Sequence, residues 1–94
     1  MALHHVRLTH SSRKSLRKYG RSKFINPNVF NVMVVHLEQD KPLPVRFRDH
    51  KLAGIFDGFR ECHLSFGVLV IYKRNEKEHL ITISDIGTHD ELFG

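Results

Sequence analysis

Cysteine, tryptophan and proline are scarce in this chain: one Cys, no Trp and three Pro among 94 residues. A lone Cys62 rules out a disulfide framework and suits a reducing compartment. No apolar run approaches the roughly 20 residues that cross a bilayer, so no membrane span is expected. The opening "MALHHVRLTH" has no long apolar region and no small-residue cleavage site, which argues against a secretory signal. Internal repeats, low-complexity stretches and linkers are also missing, so residues 1–94 read as one domain. A chain of this size buries roughly 60–65% of its unfolded surface, enough for one modest core.

Carboxylates are missing from the whole first part of the chain. Residues 1–37 hold Arg7, Arg13, Lys14, Arg17, Lys18, Arg21 and Lys23 and no acid, a charge of +7. Residues 38–94 hold eight basic and ten acidic residues, a charge of −2. A basic segment of this kind attracts phosphates through counterion release, and a polyanionic partner such as nucleic acid is expected. The competing reading is a solvated helix face kept charged for solubility.

Along the chain, "ALHHVRLT" alternates, with Ala2, His4, Val6 and Leu8 on one face of a first strand. "THSSRKSLRKYG" reads as a basic helix capped at Ser11 or Ser12 and stopped by Gly20. "INPNVFNVMVVHLEQD" is a second helix with Asn26 as N-cap and Pro27 in the first turn. Val29, Val32, Met33, His36 and Leu37 recur there at helical spacing. Its β-branched residues make a strand the competitor. Pro42 and Pro44 in "KPLP" break any continuous element.

After Pro44 comes a loop with Gly54 and Gly58, then "FRECHL", which sets Phe59, Glu61 and His63 opposite Arg60, Cys62 and Leu64. "SFG" is a turn, "VLVIY" a buried central strand, "KRNEKE" a charged hairpin turn and "HLITISD" the last strand. Short turns join antiparallel neighbours. The expected fold is therefore α+β, a two-helix hairpin packed on a small twisted antiparallel sheet with its other face open.

Of the eight histidines, His36 belongs to a packed helix face, and His4, His5, His10 and His79 sit at strand ends and turns. His50, His63 and His89 stand where loops meet strands or on the open sheet face. Imidazoles titrate near neutrality and can give and take protons there, although surface histidines need no such role. They lie 13 and 26 residues apart, without the tight pairs of a zinc motif, so no metal is expected. Cys62 lies opposite His63, which disfavours a Cys–His dyad. Arg46, Arg48, Lys51 and Arg60 surround these histidines in sequence and can bind phosphate. Asp49, Asp57 and Glu61 compete for them as salt-bridge partners. Phe93 can stack on a base or pin the C-terminus to the sheet.

Leu43, Pro44, Asp49, His50, Leu52, Gly54, Arg60, Glu61, His63, Ile71, Tyr72, Gly87, Thr88, His89, Leu92 and Phe93 stand in order at spacings that resemble the YafQ branch of the RelE/ParE toxin superfamily. The likeness covers residues 41–94 well; before that, only a strand and a basic helical hairpin match. It implies a RelE-like fold and a ribosome-dependent mRNA endonuclease of a type II toxin–antitoxin pair, acting in the bacterial cytoplasm. It also implies a cognate antitoxin, the ribosome and mRNA as partners, and no cofactor. By position, His50, His63 and His89 match active-site histidines, Phe93 the functional terminal ring and Glu61 an acid beside the site. The basic helix, with Arg13, Lys14, Arg17 and Lys18, would touch ribosomal RNA or be covered by the antitoxin. Gly67 and Asp85 depart from the pattern, which usually has a carboxylate and often an arginine there. Compensation by Arg46, Arg48 or Lys73 is one consequence. The alternatives are a weakened nuclease or a non-catalytic antitoxin-binding module; a ParE-like gyrase inhibitor would lack the histidines.

Overall fold

The computed structural model describes residues 3–22, 25–65 and 67–94, so Ala2, Lys23 and the Phe66 of the "SFG" turn lie outside the described residues. Five strands and three helices follow in the order β1 (His5–Leu8), α1 (His10–Arg21), α2 (Pro27–Glu38), β2 (His50–Lys51), β3 (Arg60–Ser65), β4 (Val68–Asn75), β5 (Leu80–Gly87) and α3 (His89–Phe93). Two single 3₁₀ turns, Val45–Phe47 and Gly54–Phe56, flank β2. The sheet order is β1-β5-β4-β3-β2.

β2 to β5 pair antiparallel, as short connections require. β1 joins the far edge parallel to β5, His5 opposite Leu80, so the sheet is mixed. A whole helical hairpin separates β1 from the other strands. No tight turn dictates its direction.

The first helix starts earlier and ends later than its serines and glycine suggest. Thr9 is the N-cap, its side-chain oxygen accepting from the Ser12 N–H at 3.1 Å. Ser12 is fully buried, and its hydroxyl donates to the Ile83 carbonyl at 2.8 Å. Ser12 therefore joins α1 to β5 and does not cap the helix. Gly20 lies inside the helix, which closes at Ser22 in right-handed conformation. The Ser22 hydroxyl and N–H both donate to the Lys18 carbonyl, so no left-handed stop is needed. The second helix follows its cap: Asn26 Oδ1 accepts from the Asn28 N–H at 2.8 Å, with Pro27 in the first turn. Cap and length prevail over β-branching. The His36 Nδ1–H donates to the Val32 carbonyl at 2.7 Å, a half-buried ring packed on its own helix.

Met33 and Leu37 of α2 and Tyr19 of α1 meet Cys62, Leu64, Val68, Val70, Tyr72, Ile81, Ile83 and Ile86 in one core between helices and sheet. Every residue of "VLVIY" is buried, as a central strand requires. The hairpin turn after β4 is Glu76–His79, because β4 runs on through Asn75. A bulge interrupts β4–β5 pairing: Ile71 faces Asp85, but the next residue, Tyr72, faces Ile83. The bulge resets the alternation, so Ile81, Ile83 and Ile86 all reach the core. Without it Asp85 would enter the core, where an unpaired carboxylate costs several kcal/mol.

Candidate active site

Phe47 is fully buried and anchors the first 3₁₀ turn, leaving its neighbours Arg46 and Arg48 exposed. Arg48 then turns left-handed (φ 50°) and its carbonyl receives the Nδ1–H of His50 at 2.7 Å. A carbonyl only accepts, so Nδ1 carries the proton and Nε2 is the nitrogen left for exchange. β2 places His50 opposite Glu61 on β3. The period of two puts His63 on the same face. Glu61 Oε1 lies 3.5 Å from His50 Nε2 and 3.6 Å from His63 Nε2, and the two rings are 6.5 Å apart. The Glu61 side chain is 9% exposed, a carboxylate shared by two imidazoles.

Burial pushes the His63 ring below the usual histidine range, and Glu61 opposes that shift while Arg48 and His50 add to it. His63 is therefore a neutral ring at neutral pH, ready to accept a proton. His63, Glu61, Arg46, Arg48 and His89 line one cleft of about 640 Å³, with Leu64 and Leu69 as its apolar part. His89 opens α3, whose N-cap is Thr88. Its ring lies 5.0 Å from that of Phe93, and Phe93 meets Phe56 edge-on at 5.1 Å. Phe93 thus braces α3 on the second 3₁₀ turn.

Not every basic residue near the histidines in sequence reaches them. Arg60 donates through Nε (3.2 Å) and Nη2 (3.1 Å) to Asp49, which also accepts from the Tyr72 hydroxyl at 2.5 Å. Asp49 holds the Arg60 guanidinium above its ordinary value, and burial raises the Tyr72 hydroxyl. Arg60 lines a second hollow with Asp40 and Arg74, on the other face of β3 from Glu61 and His63. Arg60 thus stands in a clamp with Asp49, apart from the His50–Glu61–His63 cluster. Lys51 is exposed and pairs with Arg60 in register, again away from His63. Arg13, Lys14, Arg17 and Lys18 form an exposed stripe on α1.

The departures are placed as follows. Gly67 lines the cleft, exposed and at φ +82°, so a carboxylate there would be strained. Asp85 accepts from the Ser11 hydroxyl at 3.2 Å, at the start of α1. Lys73 lies 5.4 Å over the Phe59 ring. Cys62 faces the helices, fully buried, and burial raises its thiol, which suits a packing residue.

Two features escaped the sequence reading. His4 is 4% exposed, with Nε2 3.2 Å from Glu76 Oε2, so it is no bland strand end. His4, Asp40 and Glu76 bring three donor atoms within 4.8 Å of one another, but Arg74 already bridges both carboxylates. The second feature is Glu91, tied to Tyr19 and to Thr88. The spacing Thr88-x-x-Glu91 is a capping-box signature and was legible.

The profile described as "Bacterial toxin of type II toxin-antitoxin system, YafQ" matches residues 4–94. The mRNA interferase toxin YafQ of Escherichia coli K12 is 35% identical over 63 residues, 67% of this chain and 66% of that protein. The chain thus spans just under two thirds of that curated relative. A copper-bound mutant toxin from Helicobacter pylori superposes with TM-score 0.87 at 31% identity, over 97% of this chain and 99% of that one. The toxin in the Escherichia coli DinJ–YafQ toxin–antitoxin complex gives TM-score 0.83 at 26% identity, over 98% and 99%. No helix among the described residues is long and apolar enough to cross a membrane.

Proposed function

The chain belongs to the YafQ family of bacterial toxins of type II toxin–antitoxin systems, and from that membership we propose that it is an mRNA interferase. In this reading it cuts mRNA on the ribosome, in the cytoplasm, and a cognate antitoxin binds and neutralises it. The observation that carries the reading is the cluster itself: His50, Glu61 and His63 in contact, with His89 lining the same cleft.

The chemistry follows from RNA. The 2′-hydroxyl attacks the adjacent phosphorus, a base removes its proton, and an acid protonates the departing 5′-oxygen. The products are a 2′,3′-cyclic phosphate and a 5′-hydroxyl. We assign the base to His63, the ring that burial keeps neutral. His50 and His89 supply the acid and positive charge, with Arg46 and Arg48 for the non-bridging oxygens. Glu61 orients His50 and His63 and balances the charge that moves between them. No step is routed through a metal. A placed acid or base is worth ~10²–10⁴-fold.

Single His50→Ala, His63→Ala and His89→Ala variants should each lower ribosome-dependent cleavage at least about tenfold, read by mapping cuts on a translated mRNA. If all three cut like the wild type, the site is wrong. Gly67 in the cleft favours a second reading, an antitoxin-binding module with weakened nuclease activity. Expression without antitoxin separates the two: growth arrest with cuts inside translated codons supports the nuclease, and normal growth supports the module. A supercoiling assay tests the gyrase alternative.

A further inference from the structure

His89 and Phe93 stand on a helix of five residues, too short to hold its own shape in water. Something outside α3 must fix it. The capping box does part of this: Thr88 N–H donates to Glu91 Oε1 at 2.8 Å, and Glu91 N–H to Thr88 Oγ1 at 3.2 Å. These bonds close α3 on itself but do not aim it. Beside the contact of Phe93 with Phe56, a second tie to the rest of the molecule runs through the same carboxylate. The Tyr19 hydroxyl donates to Glu91 Oε1, and Lys18 Nζ reaches Oε2 at 3.2 Å.

Tyr19 is a suitable anchor because its ring belongs to the core, 7% exposed, on the helix that Ser12 joins to β5. The backbone beneath has been cleared for the carboxylate. A Cβ on Gly87 would lie 3.0 Å from Glu91 Oε1 and 3.3 Å from Leu92 Cδ2. The bond from the Tyr19 hydroxyl, followed by that from the Thr88 N–H, holds the Glu91 carboxyl down to about 2, and burial followed by the Glu91 bond pushes the Tyr19 hydroxyl up to about 12.

We propose that Tyr19 is a positioning residue for His89: its hydroxyl, through Glu91, fixes the direction in which α3 presents that imidazole to the cleft. The proposal rests on the nuclease reading only for its kinetic consequence. It makes α1 more than a charged face, because one residue of that helix sets the geometry of the site.

The test uses the full chain with Tyr19→Phe, Glu91→Ala, Glu91→Gln and the Tyr19→Phe/Glu91→Ala double variant. Tyr19→Phe keeps the ring in the core and removes the hydroxyl, with its bond to Glu91 and its contact with the Thr88 backbone. Two readouts are taken: the His89 imidazole resonances with amide exchange across α3, and kcat and KM for ribosome-dependent cleavage. Tyr19→Phe and Glu91→Ala should each shift the His89 signals and speed exchange at Leu92 and Gly94, while β4 amides keep their protection. Each should lower kcat about tenfold with KM nearly unchanged, since misplacement acts on orientation. The double variant should be no worse than Glu91→Ala alone, because both remove one link. Glu91→Gln keeps an accepting oxygen for Tyr19 and Thr88 and should restore most of the loss. Unchanged His89 signals in Tyr19→Phe, or independent losses that multiply in the double variant, overturn the proposal. If the wild type itself does not cut, the nuclease reading falls, and the His89 spectra still decide the tether.

Discussion

Asp49 and His50 are neighbours, as are Arg60 and Glu61, yet they build two different clusters on opposite faces of the same strand pair. Asp49 is saturated: two bonds from Arg60 at 3.1 and 3.2 Å and one from Tyr72 at 2.5 Å. Glu61 sits between two histidine nitrogens at 3.5 and 3.6 Å, close enough to feel both and bonded tightly to neither. Asp49 clamps the loop that carries His50 to the strands that carry His63. Glu61 has capacity left for protons that move. Similar side chains thus close one cluster with short bonds and leave the other loose, the arrangement that the proposed proton transfer needs.

Breaking the clamp should show the largest effect on folding. Asp49→Ala leaves Arg60 and Tyr72 without their acceptor and should cost about 2 kcal/mol, read by urea unfolding with m unchanged. If it unfolds at the wild-type midpoint, Asp49 is no clamp. Glu61→Gln keeps the shape of the other cluster and removes its charge. It should lower kcat about tenfold and leave the urea midpoint nearly unmoved. A loss of stability larger than that of Asp49→Ala would erase the contrast between the two acids.

A pH series sharpens the comparison further. The His63 ring is held below the ordinary histidine value, mainly by burial. A base works deprotonated and an acid protonated, so cleavage should rise with pH along a limb placed below the ordinary histidine range and fall again where the acid loses its proton. Stability follows the same sign. The unfolded ring binds the proton more readily, so this contribution is present above the unfolded value and lost as pH falls through the folded one. In His63→Ala both the limb and this acid sensitivity should go. The smallest expected effect is that of a chelator. With the protein treated and the chelator removed before ribosomes and their Mg²⁺ are added, cleavage and urea midpoint should both be unchanged, and a clear loss of activity would put a metal into the reaction.

Much of this contrast was legible from periodicity. The alternation of "FRECHL" already separated Arg60 and Cys62 from Glu61 and His63, and the structure keeps that separation. The same rule spoke against Arg60 as a phosphate ligand, but proximity in sequence suggested otherwise. The Asn26 cap and the central strand were readable because each rests on local chemistry. What was not readable depended on distant partners. Ser12 looked like a cap, but Ile83, 71 residues away, claims its hydroxyl. Asp85 looked like a reversed charge beside the site, but a bulge and Ser11 decide where it points. His4 looked idle until Glu76 arrived from the hairpin turn.

The parallel pairing of β1 with β5 has a consequence in time. β1 is made first and its partner among the last elements, His5 opposite Leu80. Contacts of such long sequence separation form late and slow the folding of a domain. While the chain is still being synthesised, the first strand has no edge to join, and α3, which carries His89, does not yet exist. The cleft that His63 and His89 share is therefore closed only once β5 and α3 have emerged and β1 has found its edge.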